Sequence, residues 1–206
     1  MKKQSENMRI KFKNRNWNAE TLRKNLRSYV SESENIGSGV IWYDLQNKWI
    51  EENKGTLEMY KACGIFAALS PQMSVARNEE LFKQYLKQGR ASHYGQLNKK
   101  CDEIMMAESE DDVCKILNGN KITSFYLNLL HPNRETRVTI DRHAIACMTQ
   151  KVDDVRPLED GQYSMTDKQY SSFERIYKEV SEELNILGHQ LQAITWESYR
   201  NLRKLS

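Results

Sequence analysis

Two helices are predicted to meet at a glycine turn in the stretch Ile116-Leu117-Asn118-Gly119-Asn120-Lys121-Ile122-Thr123-Ser124-Phe125-Tyr126. A second stretch, Val138-Thr139-Ile140-Asp141-Arg142-His143-Ala144, places the carboxylate of Asp141 in an apolar run 20 positions after Lys121. Backbone N–H groups at the start of a helix bind anions through their orientation and the helix dipole. A turn suited to phosphate, followed by an amine and a carboxylate, therefore indicates chemistry on a nucleic acid.

The remainder of the chain predicts helices. Apolar residues recur at the 3.6-residue spacing of an amphipathic helix, for example at Leu22, Leu26 and Val30. The segment from Gly64 to Leu69 is apolar on most of its circumference, so we expect it at the centre of the core. Because no long strand pattern or internal repeat is present, the sequence predicts an all-α fold.

Three parts are predicted along the chain. Residues 1–16 form a basic flexible arm, residues 17–36 and 149–206 a helical lobe built by both termini, and residues 37–148 a central helical lobe with the hairpin and Asp141. Residues 1–30 carry nine Lys/Arg against two Glu, a local charge of +7 in a chain whose net charge is +3. Such a segment is either a phosphate-contacting arm or a solvated terminus.

The composition excludes several other classes. The 206 residues are 39% hydrophobic and 29% charged, and no apolar run approaches the roughly 20 residues of a membrane-spanning helix. We expect no secretory signal and no membrane partner, and a cytoplasmic location. The cysteines lack a close CxxC pair, so we expect buried thiols in a reducing compartment and no metal; they are Cys63, Cys101, Cys114 and Cys147.

Each candidate site residue also has a structural interpretation. Ser70 and Gln72 follow the buried helix in a loop, which is equally the pattern of an ordinary helix-to-helix turn. Gly119 is suited to ending a helix, and Asp141 is placed either to cap a helix or to lie near a reacting centre. His143 either orients a phosphate or packs in the interior.

Three segments, in this order and spacing, resemble the helix-hairpin-helix DNA glycosylase superfamily, in a divergent, phage-associated and endonuclease III-like form. Leu69-Ser70-Pro71-Gln72 is similar to its Leu-Ser-x-Gln loop, and Val138–Ala146 to its Val-Asp-Thr-His segment. Leu117–Thr123 resembles its hairpin, Leu-Pro-Gly-x-Gly-x-Lys-Thr-Ala, without the proline and the second glycine. The four-cysteine iron–sulfur loop of part of the family is missing, so no cofactor is implied.

The resemblance implies a two-lobed helical monomer that binds double-stranded DNA, flips out a damaged or modified base and cleaves its N-glycosidic bond. Asp141 is the implied catalytic carboxylate, and Lys121 an implied nucleophile that would add strand cleavage. Trp42 and Tyr43 are candidates for the base pocket. The implied DNA-binding residues are Ser70, Gln72, Asn118, Gly119, Asn120, Thr123, Arg142 and His143.

Two other functions remain open from the sequence. One is a transferase that modifies a base of hypermodified phage DNA and keeps Asp141 in a remodelled pocket. The other is a non-catalytic helical module that only holds the DNA backbone. The target base, and a role in repair, in phage defence or in a phage itself, are equally open.

Overall fold

A computed structural model describes residues 9–12, 15–33, 36–91, 95–154 and 165–205. These residues are mostly helical and confirm the all-α prediction. None of the described helices has the length and apolar character needed to cross a membrane. The elements are β1 Arg9–Phe12, β2 Arg15–Asn18, α1 Ala19–Ser31, α2 Ile36–Val40, α3 Trp42–Asn53, α4 Met59–Leu69, α5 Val75–Gln88, α6 Gly95–Met105, α7 Glu110–Leu117, α8 Asn120–Leu130, α9 Arg142–Thr149, α10 Asp167–Glu183 and α11 Gly188–Leu205.

A short antiparallel hairpin takes the place of much of the predicted flexible arm. β1 pairs with β2 in the register that sets Arg9 opposite Asn18. Ile10 and Phe12 alternate with exposed residues and are buried, and the Phe12 ring meets the edge of Phe173 with ring centroids 5.3 Å apart. Two apolar residues among many cations are a weak sequence signal, yet both are buried in the core of this unit. Residues 1–8, 13 and 14 of the predicted arm lie outside the described residues.

The chain forms two compact units, Met1–Trp42 with Asn133–Ser206, and Tyr43–Pro132. The sequence placed the boundaries at residues 36 and 148 instead. Residues 133–148, including Asp141, belong to the first unit because Val138, Ile140 and the apolar face of α9 are buried in its core. In that core, α9 packs against α1 and α11, and α10 packs against α1 and α11.

The second unit is built around α4, as the apolar segment predicted. Every residue from Ala62 to Leu69 is buried, and α5, α6, α7 and α8 all pack against this helix. Gly64 permits the closest approach, since a Cβ atom there would lie 2.7 Å from Val113 Cγ1. Trp49, Phe66 and Phe82 form an aromatic cluster with ring centroids 5.8–5.9 Å apart.

Candidate functional site

Asp141 is the N-cap of α9, and both of its carboxylate oxygens are engaged. Oδ1 accepts a hydrogen bond of 2.8 Å from the backbone N–H of Ala144, and Oδ2 lies 3.0 Å from Nδ1 of His143. The backbone of Asp141 is extended, which is the usual N-cap conformation. Asp141 therefore caps the helix, which is one of the two positions that the sequence predicted for it. Only 15% of its side chain is exposed, so the carboxylate is half-buried at the N-terminus of α9.

The imidazole of His143 is held between Asp141 and α11. Its ring meets Tyr199 edge-on, with ring centroids 5.8 Å apart and an angle of 71° between the rings. The side chain is 22% exposed, whereas Tyr199 is buried. His143 therefore both packs in the unit and reaches the surface, and its polar partner is the candidate catalytic carboxylate.

The buried side chains near the Asp141 carboxylate, on its interior side, are neutral. The Cys147 thiol donates to the backbone oxygen of Thr195, and the Tyr177 hydroxyl to that of Ala144. Burial, and after it the negative charge of Asp141, raises the pKa of Cys147 well above its ordinary value. Burial likewise raises the pKa of Tyr177. Because both groups stay protonated, they do not oppose the charge of Asp141.

In the second unit, α7 and α8 are joined by the two-residue turn Asn118-Gly119, at the position of the glycine turn in the sequence. Asn118 has φ 46° and Gly119 has φ 135°, and Gly119 precedes α8 without a side-chain capping bond. The Thr123 N–H donates to the Gly119 carbonyl, and Nζ of Lys100 donates to that of Leu117 at 2.8 Å. The first-turn N–H groups of α8 thus point out of the helix end, the geometry that suits an anion.

Lys121 lies on this first turn and is exposed. The nucleophilic role foreseen for it requires an amine that is desolvated by burial. The exposed position of Lys121 provides no such burial. Asn120 and Thr123 of the same turn are half-buried, and Asn118 and Gly119 are exposed.

Gln72 stands out in the loop between α4 and α5. It is exposed and adopts φ 63°, a left-handed conformation that side chains other than glycine rarely take. Ser70, in contrast, donates its hydroxyl to the Ala67 carbonyl at 2.8 Å and so helps to end α4. Strain of this kind in a non-glycine residue persists where the surrounding structure enforces it and is frequent at ligand-binding sites.

The two candidates for the base pocket have different environments. Tyr43 is 2% exposed and packs against Phe125, so it belongs to the core of the second unit. Trp42 lies in the first unit, where its ring meets the edge of Trp196 with centroids 6.0 Å apart. The guanidinium of Arg200 lies over the indole of Trp196, 4.6 Å from its ring centroid.

An open cleft of about 260 Å³ lies beside this aromatic pair. Its cations, Arg200 and Lys204, pair with no carboxylate in the described part of the chain, while Glu197 accepts a 2.7 Å hydrogen bond from the Ser38 hydroxyl. The lining residues are Ser38, Trp196, Glu197, Arg200, Asn201 and Lys204. We name this surface the α11 cleft.

The sequence profile of a family of unknown function (DUF7178) matches residues 8–203. The chain belongs to this family. No curated protein and no solved structure is significantly similar to it.

The predicted site residues are divided between the two units. Asp141, Arg142, His143 and Trp42 lie in the first unit, and the hairpin, the Gln72 loop and Tyr43 lie in the second. The α11 cleft was missed by sequence reasoning, although Trp196, Arg200 and Lys204 recur every four residues on one helix face. Among the described residues, no group of three or more His, Cys, Asp or Glu is arranged to hold a metal ion.

Proposed function

We propose that this protein is a DNA N-glycosylase that flips a damaged or modified base out of the duplex and cleaves its bond to the sugar. The supporting observation is the Asp141 carboxylate, half-buried at the head of α9, hydrogen-bonded to His143 and backed by neutral groups. Cleavage of an N-glycosidic bond builds positive charge on the sugar, and a fixed carboxylate stabilises such a state. In the segment that resembles the glycosylase motif, Asp141 is the residue whose carboxylate is fixed in this way.

The hairpin and the Gln72 loop supply the proposed DNA contacts of the second unit. The N-terminus of α8 would bind a backbone phosphate, and the exposed, strained Gln72 would fill the gap that the flipped nucleotide leaves. In the first unit, Arg142 is exposed beside Asp141, and the α11 cleft offers two cations and an indole. Cations paired with an aromatic surface suit a phosphodiester strand.

An abasic-site assay on genomic DNAs that carry different natural base modifications tests the function. We expect abasic sites in at least one of these DNAs after incubation with the protein. Altered bases without abasic sites would indicate the transferase, and binding without either product would indicate a non-catalytic module. Borohydride trapping in the same assay tests Lys121, whose exposure favours hydrolysis without a covalent adduct.

Reversing the charge of Arg200 and Lys204 together is expected to weaken DNA binding. If each cation neutralises one phosphate, the slope of log affinity against log salt falls by about 2. The matched control reverses Lys151 and Lys168, two exposed lysines of the same unit, and so makes the same change in net charge. Equal loss of affinity in both double variants would show that only overall charge matters.

Replacing Gly119 with alanine is expected to weaken DNA binding through the turn. A φ of 135° is strained by about 1–3 kcal/mol for any residue with a Cβ atom, although the nearest atom to that Cβ is 4.0 Å away. The turn before α8 should therefore rearrange. Gly55→Ala is the control, since Gly55 also has a positive φ in open space. Fluorescence anisotropy with a labelled duplex compares the two, and equal affinities would remove the turn from DNA binding.

A further inference from the structure

The contact between Asp141 and His143 determines which imidazole nitrogen carries the hydrogen. An ionised carboxylate has only acceptor sites, so Nδ1, at 3.0 Å from Oδ2, is the protonated nitrogen of the neutral ring. Nε2 is then the nitrogen with the lone pair. The other contact of the ring is the edge of Tyr199, and the described residues leave Nε2 without a hydrogen-bond partner.

We propose that Nε2 of His143 is the proton acceptor for the water that replaces the base, with Asp141 as its positioning residue. This inference rests on the proposed glycosylase function and deepens it. It assigns the protein to hydrolysis by water, in place of attack by an enzyme amine. The partly exposed imidazole, and not the doubly engaged carboxylate, is then the basic group that meets the attacking water.

The step balances without a further reactant. The water oxygen forms a bond to C1′ of the sugar, and one water proton passes to Nε2. The bond between C1′ and the base nitrogen breaks, and its electron pair goes to the base. The imidazolium then returns its proton to the base anion, so the products are the neutral base and an abasic sugar with a hydroxyl at C1′.

The surroundings of the ring favour this proton transfer. Among the described residues, the titratable groups in contact with the imidazole are Asp141 on one side and Tyr199 of α11 on the other. Deeper in the unit lie Cys147 and Tyr29, whose pKa values are raised by burial, so both stay neutral. Arg142, the neighbour in sequence, is exposed. Asp141 is therefore a negative charge in contact with the ring, and it stabilises the imidazolium that forms.

The test compares single-turnover base release at saturating DNA, as a function of pH, in the wild type and in His143→Asn and His143→Gln. Asparagine can keep the donor that faces Asp141, and glutamine can reach toward the position of Nε2, but neither amide is a base. We expect both variants to lose about 10²–10⁴-fold in rate, together with the rise of the rate with pH. Added imidazole should restore part of the rate of His143→Gly.

The control is His131→Gln, because His131 also contacts a carboxylate, with Nε2 at 2.8 Å from Glu110, and lies in the other unit. Its base release should equal that of the wild type. Retention of the wild-type rate and pH profile in either His143 amide variant would overturn the inference. So would a weaker affinity for DNA with an unchanged rate at saturation, which would make His143 a phosphate contact. If the wild type releases no base from any DNA, the proposed function fails and the inference fails with it.

Discussion

Replacing Asp141 with asparagine is expected to reduce base release by about 10³-fold while the fold and DNA binding persist. Asparagine caps a helix as well as aspartate does, because its side-chain oxygen can still accept the Ala144 N–H. The substitution removes the negative charge and turns an NH₂ donor toward Nδ1 of His143. Nδ1 must then accept, so the ring proton moves to Nε2, the nitrogen proposed to take a proton from water.

Single-turnover base release and thermal unfolding distinguish the catalytic role from the capping role. Asp141→Asn should unfold within about 0.5 kcal/mol of the wild type, whereas Asp141→Ala should lose about 1 kcal/mol with the cap. Asp111→Asn removes one exposed carboxylate in the first turn of α7 and is the control for net charge. Wild-type base release by Asp141→Asn would exclude the carboxylate from the mechanism.

Local patterns predicted the fold well where they were strong. The apolar run from Gly64 to Leu69 correctly indicated the central helix of the second unit, and the Gly119 turn lies between two helices as expected. The position of the unit boundary did not follow from such patterns. It depends on Val138 and Ile140 packing on distant segments of the chain, a long-range contact that periodicity does not report.

The candidate site shows the same division between local and long-range information. That Asp141 precedes a helix was readable from the sequence, since aspartate before an apolar helix predicts a cap. The contact of His143 with Tyr199 joins residues 56 positions apart and required the structure. The exposure of Lys121 could not be predicted from the sequence either, because a lysine at the start of a helix has the same sequence pattern whether it is buried or exposed.

Replacing Gly39 with alanine is expected to destabilise the first unit by about 1–3 kcal/mol. A Cβ atom at this position would lie 2.7 Å from Cα and 2.9 Å from the backbone nitrogen of Ile194. Backbone atoms cannot rotate away as a side chain does, so α2 must move off α11. The gain of about 1 kcal/mol that alanine brings to a helix offsets only part of this cost.

Gly37→Ala is the matched control, because Gly37 lies in the same helix and a Cβ atom there meets nothing within 4 Å. It should leave the free energy of unfolding unchanged or raise it slightly. Urea denaturation followed by circular dichroism compares the two variants. The Gly39 variant should also bind DNA more weakly, since displacing α2 moves Ser38 away from Glu197 and opens the α11 cleft. Equal stability of the two variants would mean that α2 does not pack on α11 through Gly39 in solution.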